Sequence, residues 1–561
     1  MSETSSEQRS AAGRSGYEEK GRRWWALAAT CFGLFMALLD ITVVNVALPV
    51  IQQDLGAGFA DLQWVISTYT IALAVFLVTA GRLGDIFGRK RMFMLGLGVF
   101  TLGSLLCALS GTIRIEGLSH IELLWAARAI QGLGGAMMLP ISLAIISVTF
   151  TGRERGMAIG IWGGVSGLAT AIGPVVGGVL VVKVSWESIF YLNVPIGVAG
   201  ILLSTWAIRE SRDERAPRSV DLFGLVTITA SVFCLVLALI QGEDNGWSSA
   251  YILTLFIVAA MSLTLFIVGE LRIRNPMVDP RLFKNRSFTG AMISAFTLSA
   301  GLYSLFFFLT LYFQNFLGFG ALDTGLRLLP FSTLVLFTAP LAGALTGRIG
   351  ARPVLSAGMA LLAVAVFLMT HISSSDTQSG WVVLLPAFVI AGLANGLVNP
   401  PISTVAVDTV SRGRAGMASG VNNVCRQMGI AFGVAFLGAL LTNRYNEYVH
   451  DKILTLSAPG LTDGIRSKII DGVQQAGTVA GSKGLPAGPS NPFQDSPLYP
   501  TIQQIARTSF IDGMTFILYV AAIMLTFGAL AALFLIRKSD MVDDEPREAS
   551  RGDARIEKVD G

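Results

Sequence analysis

The chain has 561 residues, of which 53% are hydrophobic and 14% charged, with a formal net charge of +4 and a mean hydropathy of +0.63. Soluble domains carry roughly 25% charged residues, so this composition excludes an ordinary soluble enzyme and marks a polytopic membrane protein. The net charge is too small to suggest nucleic acid as a partner, and the Lys and Arg residues cluster between apolar segments, where they set topology.

The polar start at 1–23 leads into an apolar run too long for a signal h-region and without a clear cleavage site, so the first helix is expected to stay in the mature protein. Crossing the hydrocarbon takes about 20 apolar residues per helix. That rule predicts spans near 24–50, 62–81, 91–110, 121–149, 156–182 and 188–208, then 221–241 and 249–271. Six more follow near 287–316, 324–346, 351–371, 381–409, 416–441 and 510–536, about fourteen in all. Alternate loops hold the cations: Arg22 and Arg23; Arg82, Arg89, Lys90 and Arg91; Arg153 and Arg155; Arg209, Arg212, Arg215 and Arg218; Arg272 and Arg274; Arg348 and Arg352; Arg412 and Arg414; Arg537 and Lys538. The loops around Asp54, Asp244 and Asp376 hold none, which predicts both termini on the cytoplasmic side. One long outer excursion, 442–509, spaces Ile465, Ile469, Ile470 and Val473 like one face of a short helix. Its Gly/Pro/Ser-rich stretch from Gly484 to Pro500 reads as loop, and the charged tail after Lys538 as disordered.

Cys31, Cys107, Cys234 and Cys425 lie inside apolar runs with no paired spacing, so neither a disulfide framework nor a metal site is indicated, and no cofactor is expected. His120, His371 and His450 fall outside the spans or at their edges, which argues against a histidine relay. There is no Gly-x-x-x-x-Gly-Lys-Ser/Thr phosphate loop, and Gly132-Leu133-Gly134 sits in an apolar helix with no strand before it. The chain therefore does not hydrolyse ATP, and its energy must come from an ion gradient or from the cargo's own.

A repeat surfaces at an offset of 260 residues. Gly156-Met157-Ala158-Ile159-Gly160 recurs as Gly416-Met417-Ala418-Ser419-Gly420, and Ile130, Gly132, Leu133 and Pro140 recur as Ile390, Gly392, Leu393 and Pro400. Gly81, Leu83 and Gly88 echo in Gly343, Leu345 and Gly350 at an offset of 262. The layout is six helices, a two-helix insert at 221–271, and six helices in the same orientation, an arrangement that puts a substrate path between the copies. The copies differ in charge: Asp85 aligns with Gly347 and Arg128 with Phe388.

A charge near mid-bilayer costs at least ~2.5–3.5 kcal/mol and is a functional hypothesis by default. Asp40 is the one carboxylate well inside a predicted span. At ~1.5 Å rise per residue it lies ~14 Å from the outer end at Pro49, and Arg128 lies ~10 Å from the outer end near Ile121, which makes Arg128 its expected partner. Such a pair couples proton movement to cargo if the carboxylate is uncovered, or simply holds the first and fourth helices together. Gly163, Gly164, Gly167, Gly173, Pro174, Gly177 and Gly178 give the fifth helix a smooth, kinked face suited to tight packing or to a hinge. Asn395, Asn399, Asn422, Asn423, Arg426 and Gln427, with Asn45, Trp162, Tyr303, Phe306 and Phe307, are candidates for an amphipathic cavity wall.

Four patterns resemble the major facilitator superfamily, and specifically its fourteen-span drug:proton antiporter family. Gly81 to Arg91 is similar to the signature between helices two and three, and Leu39-Asp40 through Leu48-Pro49 to the first-helix signature. Arg128 with Gln131-Gly132 resembles the fourth-helix motif linked to proton coupling, and Gly173-Pro174 through Gly177-Gly178 the antiporter motif of helix five. Where that family usually shows Trp-Arg-Trp-Ile-Phe, this chain has Trp186-Glu187-Ser188-Ile189-Phe190 before Asn193-Val194-Pro195, an acid in place of a cation. The resemblance implies an all-α membrane protein of major facilitator fold: six-helix bundles at 24–208 and 287–536, inserted helices at 221–271, and cytoplasmic tails at 1–23 and 537–561. It implies a monomeric cytoplasmic-membrane antiporter, not an enzyme, exporting amphipathic drugs or antibiotics, cationic or neutral, against protons. A transporter of one metabolite, lipid or siderophore, a sodium-coupled exporter and a non-transporting sensor or lipid-modifying enzyme are the alternatives. It also implies that Gly81, Gly84, Asp85, Gly88, Arg89, Lys90 and Arg91 form a latch, with Asp85 near the start of helix thirteen around Ala415 to Gly420.

Overall fold

The computed structural model describes residues 3–56, 59–114, 116–212, 221–273, 276–373, 378–456, 461–483 and 498–541. Arg215, Arg218, Arg274, Asp376, most of the Gly484–Pro500 stretch and the tail beyond 541 lie outside these residues. Among them every regular element is helical, as expected where lipid offers the backbone no hydrogen-bonding partner.

The N-terminal half comprises α1 (Glu3–Leu55), α2 (Phe59–Phe87), α3 (Arg89–Leu109), α4 (His120–Thr149), α5 (Gly152–Lys183), the short α6 (Ser188–Tyr191) and α7 (Asn193–Ala207). The insert is α8 (Leu222–Asn245) and α9 (Ala250–Arg272). In the C-terminal half, α10 (Arg286–Leu298) and α11 (Ser304–Leu311) make one span, joined by a π-helical turn at Ser299–Tyr303. Then come α12 (Ala321–Ile349), α13 (Ala351–Leu368), α14 (Leu385–Asp408), α15 (Ala415–Leu454), α16 (Asp463–Lys483) and α17 (Tyr499–Leu535). Thirteen helices among the described residues are long and apolar enough to cross a membrane, and the expected span at 156–182 coincides with α5, 32 residues packed along α1 and α12.

Two boundaries differ from expectation. The polar stretch read as a tail is helical from Glu3, because it is rich in Glu, Gln, Ala, Lys and Arg, lacks proline and continues the helix of the first span. The long excursion at 442–509 begins and ends as helix: α15 runs to Leu454 and α17 starts at Tyr499, at 40 and 37 residues both longer than a span needs. Between them α16 buries Ile469, Ile470 and Val473 against these extensions, while Ile465 faces solvent.

Glycines set the approach of the helices. A β-carbon on Gly132 would lie 2.5 Å from the Tyr69 carbonyl oxygen, and one on Gly134 would collide with the Phe100 backbone, so this pair serves helix crossings. Gly88 and Gly350, with φ of +112° and +89°, turn the chain from α2 into α3 and from α12 into α13 in a conformation that glycine alone adopts without strain. They are repeat partners. The insert docks α8 on α2 and α15, while α9 keeps most of its apolar surface outward.

Candidate functional site

The two halves meet at the Arg-rich end through a pair of crossings related by the repeat. In one, Gly81 of α2 and Gly416 of α15 press backbone to backbone, so that a β-carbon on either would run into the other's carbonyl oxygen. In its twin, Gly343 of α12 does the same to Gly156 of α5, whose own β-carbon would lie 2.5 Å from the Gly343 oxygen. Small residues are required where main chains come this close.

The charges at the two crossings are not repeated. Asp85, fully buried, accepts hydrogen bonds from the Gly416 and Met417 amides (3.1 and 2.9 Å), the unsatisfied donors at the start of α15. Arg89 clamps the same carboxylate at 2.6 Å and donates to the Gly413 carbonyl at 3.0 Å. Lys90 turns away: its Nζ donates to the Thr205 carbonyl, and the amides of Lys90 and Arg91 cap on Glu210. Gly84 packs on Ile141. At the twin crossing, where Asp85 aligns with Gly347, a different pair bridges the halves: Arg155 at the start of α5 and Asp408 at the end of α14, 2.6 Å apart. Sequence reasoning missed this pair, since both residues lie at helix ends and read as ordinary loop charges.

Deeper in the N-terminal half, Asp40 of α1 and Arg128 of α4 form a buried ion pair, Arg128 Nη1 donating to Asp40 Oδ2. Asp40 Oδ1 accepts from Gln131 Nε2 at 2.7 Å and from Asn193 Nδ2 at 3.1 Å. Gln131 also donates to Ser104 Oγ and accepts from Arg128 (both 2.6 Å). Arg128 reaches the Val65 carbonyl, and its guanidinium lies 4.2 Å from the centroid of the Tyr69 ring. Five helices thus contribute to one network, in which three donors satisfy the Asp40 carboxylate where lipid offers none. Asn193 was not singled out, although the Asn-Val-Pro run was visible. The replaced cation near it leaves this ligand in place, and the neighbouring Trp186 is buried and donates from Nε1 to Asp54 at 2.8 Å.

The α5 glycines connect this site to the other half. Gly173 abuts the Thr42 side chain, and Gly177 lies against the Val43 backbone, within one turn of Asp40. Gly164 and Gly167 face Leu336 and Val335 of α12, and Gly178 meets Leu322. The side chain of Pro174 lies outside the described part of the structure.

Of the cavity candidates, four join. Asn399 Nδ2 donates to the Tyr303 hydroxyl and to Asn395 Oδ1 (both 2.9 Å), Tyr303 donates to Asn395 Oδ1 at 3.3 Å, and Arg426 Nη2 donates to Asn399 Oδ1. Tyr303 closes the π-helical turn, a feature that marks functional sites often and has no hydropathy signal. Of the other seven, Phe306 packs edge-on against Phe331, the buried Asn422 Oδ1 has no hydrogen-bond partner among the described residues, and four more stand apart from the network. Trp162 is buried and donates to Ser142 Oγ at 3.0 Å, and Asn423 bonds back to the Ser419 carbonyl. Asn45 is exposed on α1, and Phe307 is exposed and packs edge-on against Phe308.

Residues 30–434 match the family described as Major Facilitator Superfamily. The chain is 34% identical over 533 residues to the tetracenomycin C resistance and export protein of Streptomyces glaucescens, covering 94% of each. It is 39% identical over 416 residues to the multidrug resistance protein Stp of Mycobacterium tuberculosis, covering 74% of this chain and 75% of that one. Among solved structures, the proton:xylose symporter XylE superposes with a TM-score of 0.57 at 13% identity, over 91% of this chain and 95% of the other, a likeness of fold alone. With two repeated bundles, twin glycine crossings and this match, the chain belongs to the Major Facilitator Superfamily of membrane transporters.

Proposed function

We propose that the chain is a proton-coupled antiporter that exports amphipathic drugs or antibiotics across the cytoplasmic membrane by alternating access, as a monomer with both termini in the cytoplasm. The names of its relatives support export, and the Arg-rich loops support the orientation. The observation that carries the coupling is Asp40, a buried carboxylate with Arg128, Gln131 and Asn193 as partners.

A proton reaching Asp40 neutralises one partner and leaves Arg128 uncompensated, which costs about 3–5 kcal/mol in a buried setting. That energy favours a rearrangement of α1 against α5 at Gly173 and Gly177 and, through α5, of the contact with α12. The proton is released when Arg128 returns to the carboxylate. The closed crossings at the Arg-rich end correspond to the outward-facing state, with Asp85 and Arg89 as its latch.

The test is accumulation of a fluorescent compound in inverted vesicles, with and without an uncoupler. Asp40→Asn is expected to abolish uncoupler-sensitive accumulation while the compound still binds; proton-driven accumulation that survives the substitution overturns the coupling role.

A further inference from the structure

We propose that the Arg426 network is an anion subsite and that the preferred cargo is an amphipathic compound bearing a carboxylate or similar planar oxyanion. This rests on the export reading and revises the expectation of cationic or neutral cargo.

Arg426 lies eleven residues into α15, ~16 Å along the axis, and so near the middle of a ~30 Å hydrocarbon layer. A guanidinium at this depth persists only with a partner or a role. Arg128, similarly deep, has Asp40. Among the described residues no carboxylate pairs with Arg426: Asp323, Asp408 and Asp512 of the same half are engaged by Arg327, Arg155 and Arg444. One of its hydrogen bonds, to Asn399, orients the guanidinium, and its buried Nε has no acceptor. Asn399 is in turn fixed by Tyr303 and Asn395, so the guanidinium is held on a relay of neutral groups that add no compensating charge.

Among the described residues, the middle depth of the bundles therefore carries Arg128, Arg426 and the one carboxylate of Asp40, which is already occupied by three donors. A cationic cargo finds no vacant acid to replace its hydration. An oxyanion finds a planar donor fork whose Nε lacks an acceptor, the geometry that arginine offers to carboxylates. The repeat supports a dedicated role, because the position equivalent to Arg426 is Ser166, an uncharged residue, so the scaffold itself does not require a guanidinium there.

The experiment is a fluorescence titration of the purified full-length protein with three probes of one shape: anthracene-9-carboxylate, 9-anthracenemethanol and 9-(aminomethyl)anthracene. The carboxylate is expected to bind at least tenfold tighter than the ammonium. Arg426→Gln should remove that preference, measured as the ratio of affinities, and Arg426→Lys should restore part of it. Tighter binding of the ammonium by the wild-type protein, or an unchanged ratio in a folded Arg426→Gln variant, overturns the assignment. The wild-type ratio decides the matter even if the variant fails to fold. If the three probes bind equally, the anion subsite alone falls; if none of the three binds and none accumulates in inverted vesicles, the export reading falls with it.

Discussion

Replacing Asp85 with Asn tests whether the α2–α15 crossing is a lock or a permanent seam. The native carboxylate accepts from two amides of the first turn of α15 and from Arg89, and none of these groups meets water. Asparagine keeps the shape but offers one acceptor oxygen, and its NH2 group faces one of the two amides. The loss is one charge-assisted hydrogen bond, about 1.5–3 kcal/mol, and the attraction of an anion to the helix terminus, about 0.3–1 kcal/mol. Together these amount to ~2–4 kcal/mol taken from the closed arrangement, or roughly thirtyfold to several-hundredfold in its equilibrium with the open one. Spin labels on Arg91→Cys and Arg414→Cys, exposed residues on opposite sides of this crossing in a background lacking the four native cysteines, read that equilibrium directly. Double electron–electron resonance should show one short distance in the parent and a dominant longer distance in Asp85→Asn, with efflux reduced and cargo binding retained. An unchanged distance distribution refutes the reasoning, and so does lost binding in a normally folded variant.

The twin crossing has its own charge pair, so a double-mutant cycle on Arg155→Gln and Asp408→Asn, read by efflux in vesicles, should give a coupling of about 0.5–3 kcal/mol. Gly343→Val drives a branched side chain into the Gly156 carbonyl and should hold the Arg-rich end open in the spin-label assay even at saturating cargo. Trp186→Phe removes the hydrogen bond to Asp54 while keeping most of the ring contact with Phe190, and should lower thermal stability by about 1.5–3 kcal/mol, measured by the melting transition in detergent.

The spans were legible because crossing a bilayer demands long apolar helices, and the repeat was legible because glycine cannot be replaced where backbones touch, as at Gly81–Gly416 and Gly156–Gly343. Asp40 and Arg128 could be matched from depth alone, since two opposite charges in lipid have few places to go. Neutral ligands left no such trace: Asn193, at the start of α7, reads as an ordinary polar residue until the fold brings it to Asp40. Arg155 and Asp408 were hidden for a related reason, because charges at helix ends are the norm and only the folded contact distinguishes a pair from a solvated loop. In the cavity, residue type suggested eleven candidates, but whether a residue joins depends on rotational register. Asn399 and Arg426 meet across α14 and α15, whereas Asn423, nearly one turn before Arg426, turns back on its own helix.

Duplication explains the division of labour. A duplicated bundle inherits two equivalent crossings, and the twin glycine contacts keep that equivalence. Side chains are free to diverge once the backbones are fixed, and here the two deep divergences fall in different halves: the buried acid and its donors in the N-terminal bundle, the unpaired guanidinium and its relay in the C-terminal one. On the proposed reading, a proton at Asp40 and an anionic cargo at Arg426 would sit on separate bundles and would not compete for one residue. The crossings offer the route between them, since α5 touches both α1 beside Asp40 and α12 and α14 across the interface. Exchange of the two ligands then requires no wire between the sites, only that each favours a different arrangement of the same rigid halves.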